Sequence, residues 1–380
     1  PFQSRRLRSC QPIRHNHVPI PTSISSPQQR SIFTHQVLLQ KTHILQELRT
    51  LLSMSIKQRI QLFFYITVTQ HSFHHKINTI WIPGYFSTFV PTNYLEKLMA
   101  YNLLKGKKGL IFGALNEQSI AWKVAQRAVE EGAEIVLTNT PVSIRMGTIN
   151  ELATACNAPV IPADATNVKD LENLIDKCME HFGGKFDFIL HSIGMSPNVR
   201  KGRTYDDLDY DFLSKTLDIS AISFHKVIQV ARKKDAINDW GSIVALTYIA
   251  AQRTLYGYND MADAKALLES IARSFGYIYG REKFVRINTV SQSPTPTTAG
   301  KGVLGMEDLL EYAERVSPLG NATADDCAGY VLTLFSDLTR KVTMQNLYHD
   351  GGFSSMGMSR KAMVTYGKGL EVEYRDIQKK

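Results

Sequence analysis

Residues 108–132, KGLIFGALNEQSIAWKVAQRAVEEG, decide how the rest of this chain is interpreted. The short apolar run 108–112 meets Gly113, and a helical pattern begins at Ser119 and closes at Gly132. A strand, a glycine turn and a helix start in this order suit a phosphate group, because free backbone N–H groups and the helix dipole face the anion. The full G-x-G-x-x-G fingerprint is absent, so this segment alone indicates a dinucleotide site only weakly.

Apolar runs and segments of helical spacing alternate along the rest of the chain, which is typical of βαβ units and a parallel sheet. We predict one Rossmann-like α/β domain, with a doubly wound parallel sheet of about seven strands and helices on both faces. The predicted strands after the first are 135–138, 159–162, 186–191, 241–247, 283–291 and 346–349, and the predicted helices between them include 143–156, 169–182 and 208–234. Ligands of such sheets bind beyond the carboxyl ends of the strands, where Gly113, Asp164, the turn 192–194 and Tyr248 fall.

Residues 246–265, LTYIAAQRTLYGYNDMADAK, begin at the end of the fifth predicted strand. If Tyr258 opens the next helix, Lys265 shares its face, since seven residues at ~100° each come close to two full turns. A phenol can hydrogen-bond a carbonyl oxygen as negative charge develops there, and a nearby cation lowers the phenol pKa and can hold a sugar hydroxyl. Tyr248, Tyr258 and Lys265 are therefore catalytic candidates; the alternative is an ordinary solvated helix face.

The net charge of +9 belongs wholly to residues 1–98, which carry 11 Lys or Arg against Glu47 and Glu96. The excess of positive charge therefore does not indicate that the main domain binds nucleic acid, and we predict no nucleic-acid partner. The longest apolar run of residues 1–98, at 62–68, is too short to span a bilayer, so no membrane partner is predicted. His71, His74 and His75 lack Cys or carboxylate ligands at metal spacing, and no metal is predicted.

Residues 1–98 are rich in Ser, Gln and His, and their periodicity is poor. We interpret them as a non-native, disordered segment: upstream nucleotide sequence read in frame, with translation starting at Met99. A transit peptide and a real accessory segment remain alternatives. The four Cys show no CxxC or metal spacing, which favours small core thiols in a reduced compartment.

With these residues considered, the chain from about Leu104 to about Met358 resembles the short-chain dehydrogenase/reductase superfamily. Within it, the chain is similar to the NADH-dependent enoyl-[acyl-carrier-protein] reductases of bacterial fatty acid synthesis. GALNEQSIAW, the HSIG turn at 191–194, and Tyr248 with Tyr258 and Lys265 carry the resemblance. Ordinary members have Y-x-x-x-K, which needs Tyr at 261; this chain has Met261 there and Tyr258 instead, the spacing of enoyl reductases.

The resemblance implies a role for each matching residue. Tyr258 would stabilise the enolate oxygen of the substrate thioester, Lys265 would hold the nicotinamide ribose, and Tyr248 would line the same pocket. The implied substrate contacts further include Met195, Ser196 and Met261. The implied cofactor contacts are Gly113, Ser119, Ile120, Thr140, Asp164, Ala165, Ser192, Ile193, Gly194, Lys265, Pro294, Thr295, Thr297 and Thr298.

The resemblance also implies NADH as cofactor, acyl-carrier protein as the bearer of the substrate, and a homotetramer built on helices 208–234 and 258–280. The polar, Gly-rich connection after the sixth predicted strand predicts a lid near 295–318, and a chain that starts at Met99 is expected to be cytoplasmic. After the second strand the chain reads TNTP at 138–141 with no Arg before Arg145, so nothing neutralises a 2′-phosphate, and NADH is favoured over NADPH. A carbonyl reductase of the same superfamily and a non-catalytic dinucleotide-binding protein are the alternatives. Met261 argues against the first, and retention of Tyr258 and Lys265 argues against the second.

A chain that begins at Met99 should fold and retain full activity, because charge balance, periodicity and motifs all begin after that residue. NADH binding by fluorescence titration, compared with the full chain, measures this. Aggregation or loss of NADH binding in the shortened chain would contradict the prediction.

Overall fold

The computed structural model describes residues 101–298 and 305–378. Six strands form one sheet in the order β2-β1-β3-β4-β5-β6, and every neighbouring pair is parallel. This confirms the predicted fold class. The strands are β1 (Lys108–Phe112), β2 (Glu134–Thr138), β3 (Phe186–His191), β4 (Ile237–Thr247), β5 (Arg286–Gln292) and β6 (Asn346–His349).

Helices connect successive strands and cover both faces of the sheet. Those before β4 are α1 (Ile120–Glu130), α2 (Pro141–Met146), α3 (Ile149–Cys156), α4 (Val168–Phe182), α5 (Pro197–Arg200), α6 (Tyr210–Leu217) and α7 (Ser223–Lys233). Those after β4 are α8 (Asp260–Lys283), α9 (Met306–Val316), α10 (Ala324–Phe335) and α11 (Arg360–Gln378). A capping box between Thr323 and Asp326 starts α10.

Two apolar clusters hold the layers together, one on each face of the sheet. Alternate residues of β1 divide between them: Leu110 and Phe112 face the cluster that includes α4, α7 and α8. Ile111 faces the cluster that includes α1 and α10. Burial on both faces explains why the strands read as continuous apolar runs and not as alternating ones.

The predicted strand at 159–162 is wrong. Val160 forms only an isolated bridge to Leu137, so the sheet has six strands among the described residues instead of about seven. Pro159 and Pro162 flank this bridge, and neither can donate a backbone hydrogen bond to a ladder.

Two predicted helices also differ from the structure. The helix predicted at 143–156 is divided by Gly147 into α2 and α3, and the break lets Thr148 N–H donate to the Leu115 carbonyl at 3.0 Å. The helix predicted at 208–234 begins at Tyr210 and contains a π-helical segment, Asp218–Ile222, between α6 and α7. Such π segments often occur at functional sites.

Two predictions lie outside the described residues: the interpretation of 1–98 and the part of the lid at 299–304. In the described ranges, no helix combines the length and the apolar character that crossing a bilayer requires. The cysteines of these ranges, Cys156, Cys178 and Cys327, are free and buried, as predicted for core thiols. Burial raises the pKa of the Cys178 thiol to about 12.

Gly113 fixes the junction between β1 and the loop that follows it. Its φ is +93°, and a Cβ at this position would lie 1.9 Å from the backbone oxygen of Ser192, at the end of β3. Neither the left-handed conformation nor the close approach suits any residue other than glycine.

Gly113→Ala should therefore destabilise the fold by ~1–3 kcal/mol, because the methyl group meets backbone and cannot be accommodated by a side-chain rotation. Urea unfolding gives the free energy of unfolding. Gly329→Ala is the matched control: Gly329 lies in α10 with nothing within 4 Å of the added methyl. The control should be neutral or stabilising, by up to ~1 kcal/mol; equal losses in both variants would contradict the assignment.

Candidate active site

A cavity of about 690 Å³ opens at the carboxyl edge of the sheet. The turns that follow β1, β2, β3, β4 and β5 contribute to its walls, as parallel strands require. Every site residue predicted from the sequence lines this cavity. The structure therefore brings the predicted residues together, while their individual roles stay predictions.

The first wall is the loop from Gly113 to the start of α1, where Ser119 and Ile120 line the cavity. Ser119 occupies the N-cap position but does not cap the helix with its side chain; its hydroxyl accepts from Leu115 N–H and Asn116 N–H, each at 3.2 Å. The first amides of α1 are therefore left without a side-chain acceptor at the cavity wall. An uncapped helix N-terminus in a cavity fits a pyrophosphate.

Thr140, Asp164 and Ala165 line the next part of the cavity, after β2 and after the bridge at Val160. Thr140 caps α2 by accepting from Ser143 N–H at 3.2 Å. The Asp164 carboxylate accepts from the backbone and hydroxyl of Thr166 at 2.8 and 2.7 Å. Arg145 is exposed and does not line the cavity.

The turn after β3 contributes Ser192, Ile193 and Gly194 to the cavity wall. A Cβ at Gly194 would lie 3.4 Å from Met261 Cε and 3.7 Å from Lys265 Nζ. A side chain at this position would therefore occupy the space between the turn and Lys265. The glycine leaves that space open for a planar ring or a sugar.

Below this turn, His191 is fully buried between Phe112 and Phe224, and its Nε2 lies 2.9 Å from Ser223 Oγ. Burial, with Lys265 as a smaller contributor, lowers the pKa of His191 to about 3. The imidazole is therefore neutral at physiological pH and serves packing under the turn.

Lys265 is buried in α8, and its ammonium donates to the Leu246 carbonyl at 2.8 Å. This is its one hydrogen bond within the described residues, so two of its three N–H groups are free to face the cavity that it lines. Burial lowers the pKa of Lys265 to about 8, and Glu269 opposes that shift. These free donors suit sugar hydroxyls.

Tyr248 and Tyr258 stand side by side at the other end of the cavity, with ring centroids 5.0 Å apart. The Tyr248 hydroxyl is buried and has no hydrogen-bond partner among the described residues. Burial raises the pKa of both phenols, so the expectation that a nearby cation lowers the Tyr258 pKa is wrong: desolvation dominates. Both groups are proton donors at neutral pH.

The sequence interpretation placed Tyr258 at the start of the helix, and this placement is wrong. Helix α8 begins at Asp260, and Tyr258 precedes it in a loop. Tyr258 and Lys265 therefore meet at one cavity without sharing a helical face. Met261, in the first turn of α8, lines the cavity between them.

The segment after β5 closes the cavity on its remaining side with Pro294, Thr295, Thr297 and Thr298. Gln292 anchors it, because its side-chain amide donates to the Ala322 carbonyl at 3.0 Å and its oxygen lies 2.7 Å from His349 Nδ1. Asn116, in the glycine loop, donates to Thr298 Oγ1 at 2.9 Å and so joins two walls. The substrate candidates Met195 and Ser196 lie opposite, after β3.

Sequence reasoning missed several residues that build the site. Ile219 reaches the cavity from the π-helical segment, and Met306 and Leu309 reach it from α9. Asn139 supports the glycine loop by donating to the Ala114 carbonyl at 3.0 Å. The position of Asn139 directly after β2 could have indicated that it belongs to the site. Ile219 is an apolar residue within a long predicted helix, and nothing in the sequence indicated that it lines the cavity.

A family model described as Enoyl-(Acyl carrier protein) reductase matches residues 113–354. A curated relative, enoyl-[acyl-carrier-protein] reductase [NADH] FabI of Rickettsia felis, is 35% identical over 267 residues, which are 69% of this chain and 100% of the relative.

Two solved structures of FabI from Alistipes finegoldii are similar to this chain. The FabI–NADH complex is 89% identical, covers 69% of this chain and 93% of its own, and superposes with a TM-score of 0.69. The second FabI structure is 86% identical, covers 72% of this chain and 100% of its own, and gives the same TM-score of 0.69.

Lys265→Met should make the ligand-free protein more stable at pH 7, by on the order of 1 kcal/mol, since it removes a buried charge. The ordinary lysine pKa of 10.5 lies above the folded value of about 8, so between these values the unfolded chain binds more protons and wild-type stability rises with pH. The advantage of the variant should therefore shrink toward pH 10.

Urea unfolding at several pH values measures this. Lys233→Met, at an exposed position of α7, controls for replacing a lysine by methionine. A Lys265→Met protein that is less stable than wild type at pH 7 would show that the Leu246 hydrogen bond outweighs the cost of burial.

Proposed function

The chain belongs to the enoyl-[acyl-carrier-protein] reductase family, and from that premise we propose how its own residues carry the reaction. The protein is an NADH-dependent oxidoreductase of fatty acid synthesis that reduces the trans-2 double bond of enoyl thioesters. This confirms the function and the cofactor predicted from the sequence. One observation carries the assignment of roles: two protonated phenols and a buried ammonium line one cavity at the end of β4.

The cavity fits the cofactor. The uncapped start of α1 would bind the pyrophosphate, Asp164 and Ala165 would meet the adenine end, and Lys265 would hold the nicotinamide ribose. Thr295, Thr297 and Thr298 would contact the nicotinamide amide and phosphate. When bound, NADH supplies the hydride that the β-carbon of the enoyl chain receives.

Tyr258 would donate a hydrogen bond to the thioester oxygen as that oxygen takes on enolate charge, before the α-carbon is protonated. Its raised pKa supports this role, because a protonated phenol is the form that donates. Tyr248, Met195, Ser196 and Met261 would shape the wall around the acyl chain. The unpartnered Tyr248 hydroxyl supports a position close to bound substrate.

Three further assignments belong to this proposal. Acyl-carrier protein would present the substrate. Residues 295–318 would cover the substrate end of the cavity, which Met306 and Leu309 of α9 support. A homotetramer would bury the helices of 208–234 and 258–280, and the exposed Tyr210 and Tyr277 on these helices support it. A cytoplasmic location stays a prediction that cell fractionation tests.

Tyr258→Phe should lower kcat and kcat/KM together by ~10²–10³ and leave NADH affinity unchanged, because the lost contact forms mainly in the transition state. Tyr248→Phe should do less. Steady-state kinetics with a crotonyl thioester, followed at the NADH absorbance, compares the two.

A larger kcat loss in Tyr248→Phe would mean that the two phenols have exchanged roles. Wild-type rates in both variants would remove the phenols from the mechanism. Turnover of a β-keto thioester in place of the enoyl thioester would favour the carbonyl reductase alternative.

A further inference from the structure

Asp260, the first residue of α8, is fully buried and accepts three hydrogen bonds from neutral side chains. Ser196 Oγ donates to its Oδ1 at 2.6 Å, and Asn198 Nδ2 and Thr216 Oγ1 donate to its Oδ2 at 2.9 and 2.8 Å. The Thr216 hydroxyl shares its single proton between this oxygen and the Phe212 carbonyl, which lies 2.9 Å away. All three donors are buried as well. A buried carboxyl group is costly unless such donors compensate it, so this cluster is a specific arrangement.

The cluster joins two walls of the active-site cavity. Ser196 and Asn198 belong to the segment after β3, where Ser196 and Val199 line the cavity. Ser196 Oγ also accepts from Val199 N–H at 3.0 Å, which fixes the local turn. On the other side, Asp260 lies two residues after Tyr258 and one before Met261. The cluster therefore fixes the separation between the substrate wall and the phenol.

The backbone around Tyr258 needs such support. Gly257 has φ of +76°, and Asn259 has φ of +45° with ψ of −130°, a conformation that residues other than glycine rarely adopt. A strained residue of this kind persists only where its surroundings hold it in place. The Asn259 side chain donates to the Arg203 carbonyl, and Asp260 is the next anchored residue.

We propose that Asp260 is a positioning residue for the reductase: through Ser196 and Asn198 it holds the Tyr258 phenol at its working distance from the substrate wall. This inference rests on the proposed function. Asp260 does not line the cavity, and its effect passes through Tyr258.

Asp260→Asn leaves one acceptor oxygen for three donors, so at least one donor loses its partner. We expect kcat for a crotonyl thioester to fall about ten- to hundred-fold, the loss that a misplacement near 1 Å produces. The Kd for NADH should stay within about twofold, because Lys265, the cofactor contact on α8, is held separately by its hydrogen bond to the Leu246 carbonyl. Ser196→Ala should lower kcat less, and the double variant should lose no more than Asp260→Asn alone.

Asp263→Asn is the matched control. It removes a carboxylate from the same helix, where Asp263 is half-buried and accepts from the Tyr205 hydroxyl at 3.3 Å. It should retain wild-type kcat. Thermal unfolding of each variant sets the assay temperature well below its midpoint, and Ser196→Ala, which alters no charge, keeps the test informative if Asp260→Asn fails to fold.

Wild-type kcat in Asp260→Asn, or a parallel loss of kcat and NADH affinity, would overturn the positioning role. Losses that simply add in the double variant would also overturn it, since the effect would not pass through Ser196. A wild-type protein without enoyl reductase activity would instead contradict the proposed function, and this inference with it.

Discussion

The hydrogen bond from the Lys265 ammonium to the Leu246 carbonyl joins α8 to the end of β4, and the geometry of the site depends on it. Burying an ammonium with a single partner is unfavourable, because two of its donors lose water without gaining an acceptor. A bound sugar can supply those acceptors. If Lys265 holds the ribose as proposed, cofactor binding would offset this cost of burying the ammonium in the free protein.

The sequence was sufficient to predict the sheet and the location of the site, because both follow from periodicity and from the rule that parallel strands end at one edge. β1, β3 and β6 matched the predicted runs closely. The predicted strand at 159–162 failed because a short apolar run between two prolines meets the pattern of a strand without the donors of one. A local pattern of apolar residues indicates that a segment is buried. Whether that segment forms a strand depends on hydrogen bonds to a neighbouring strand.

The site was predicted less completely than the fold, and the reason differs from residue to residue. Tyr258 and Lys265 were found because their chemistry is distinctive. Asp260 was not found, because an acidic residue at the start of a helix usually interacts with the helix dipole and solvent. Its burial depends on Ser196, Asn198 and Thr216, which lie 44 to 64 residues away in the sequence. No local pattern contains that information.

Because Tyr258 lies in a loop and Lys265 within α8, the phenol and the ammonium are held by different parts of the chain. Their spacing is not tied to the helical repeat, so on the proposed roles a substitution in the loop before Tyr258 would alter the acyl-chain side while the cofactor side keeps its register. The loop can therefore accept sequence changes more readily than the helix that holds Lys265. A change of acyl-chain wall in this loop would need no new way of holding the dinucleotide.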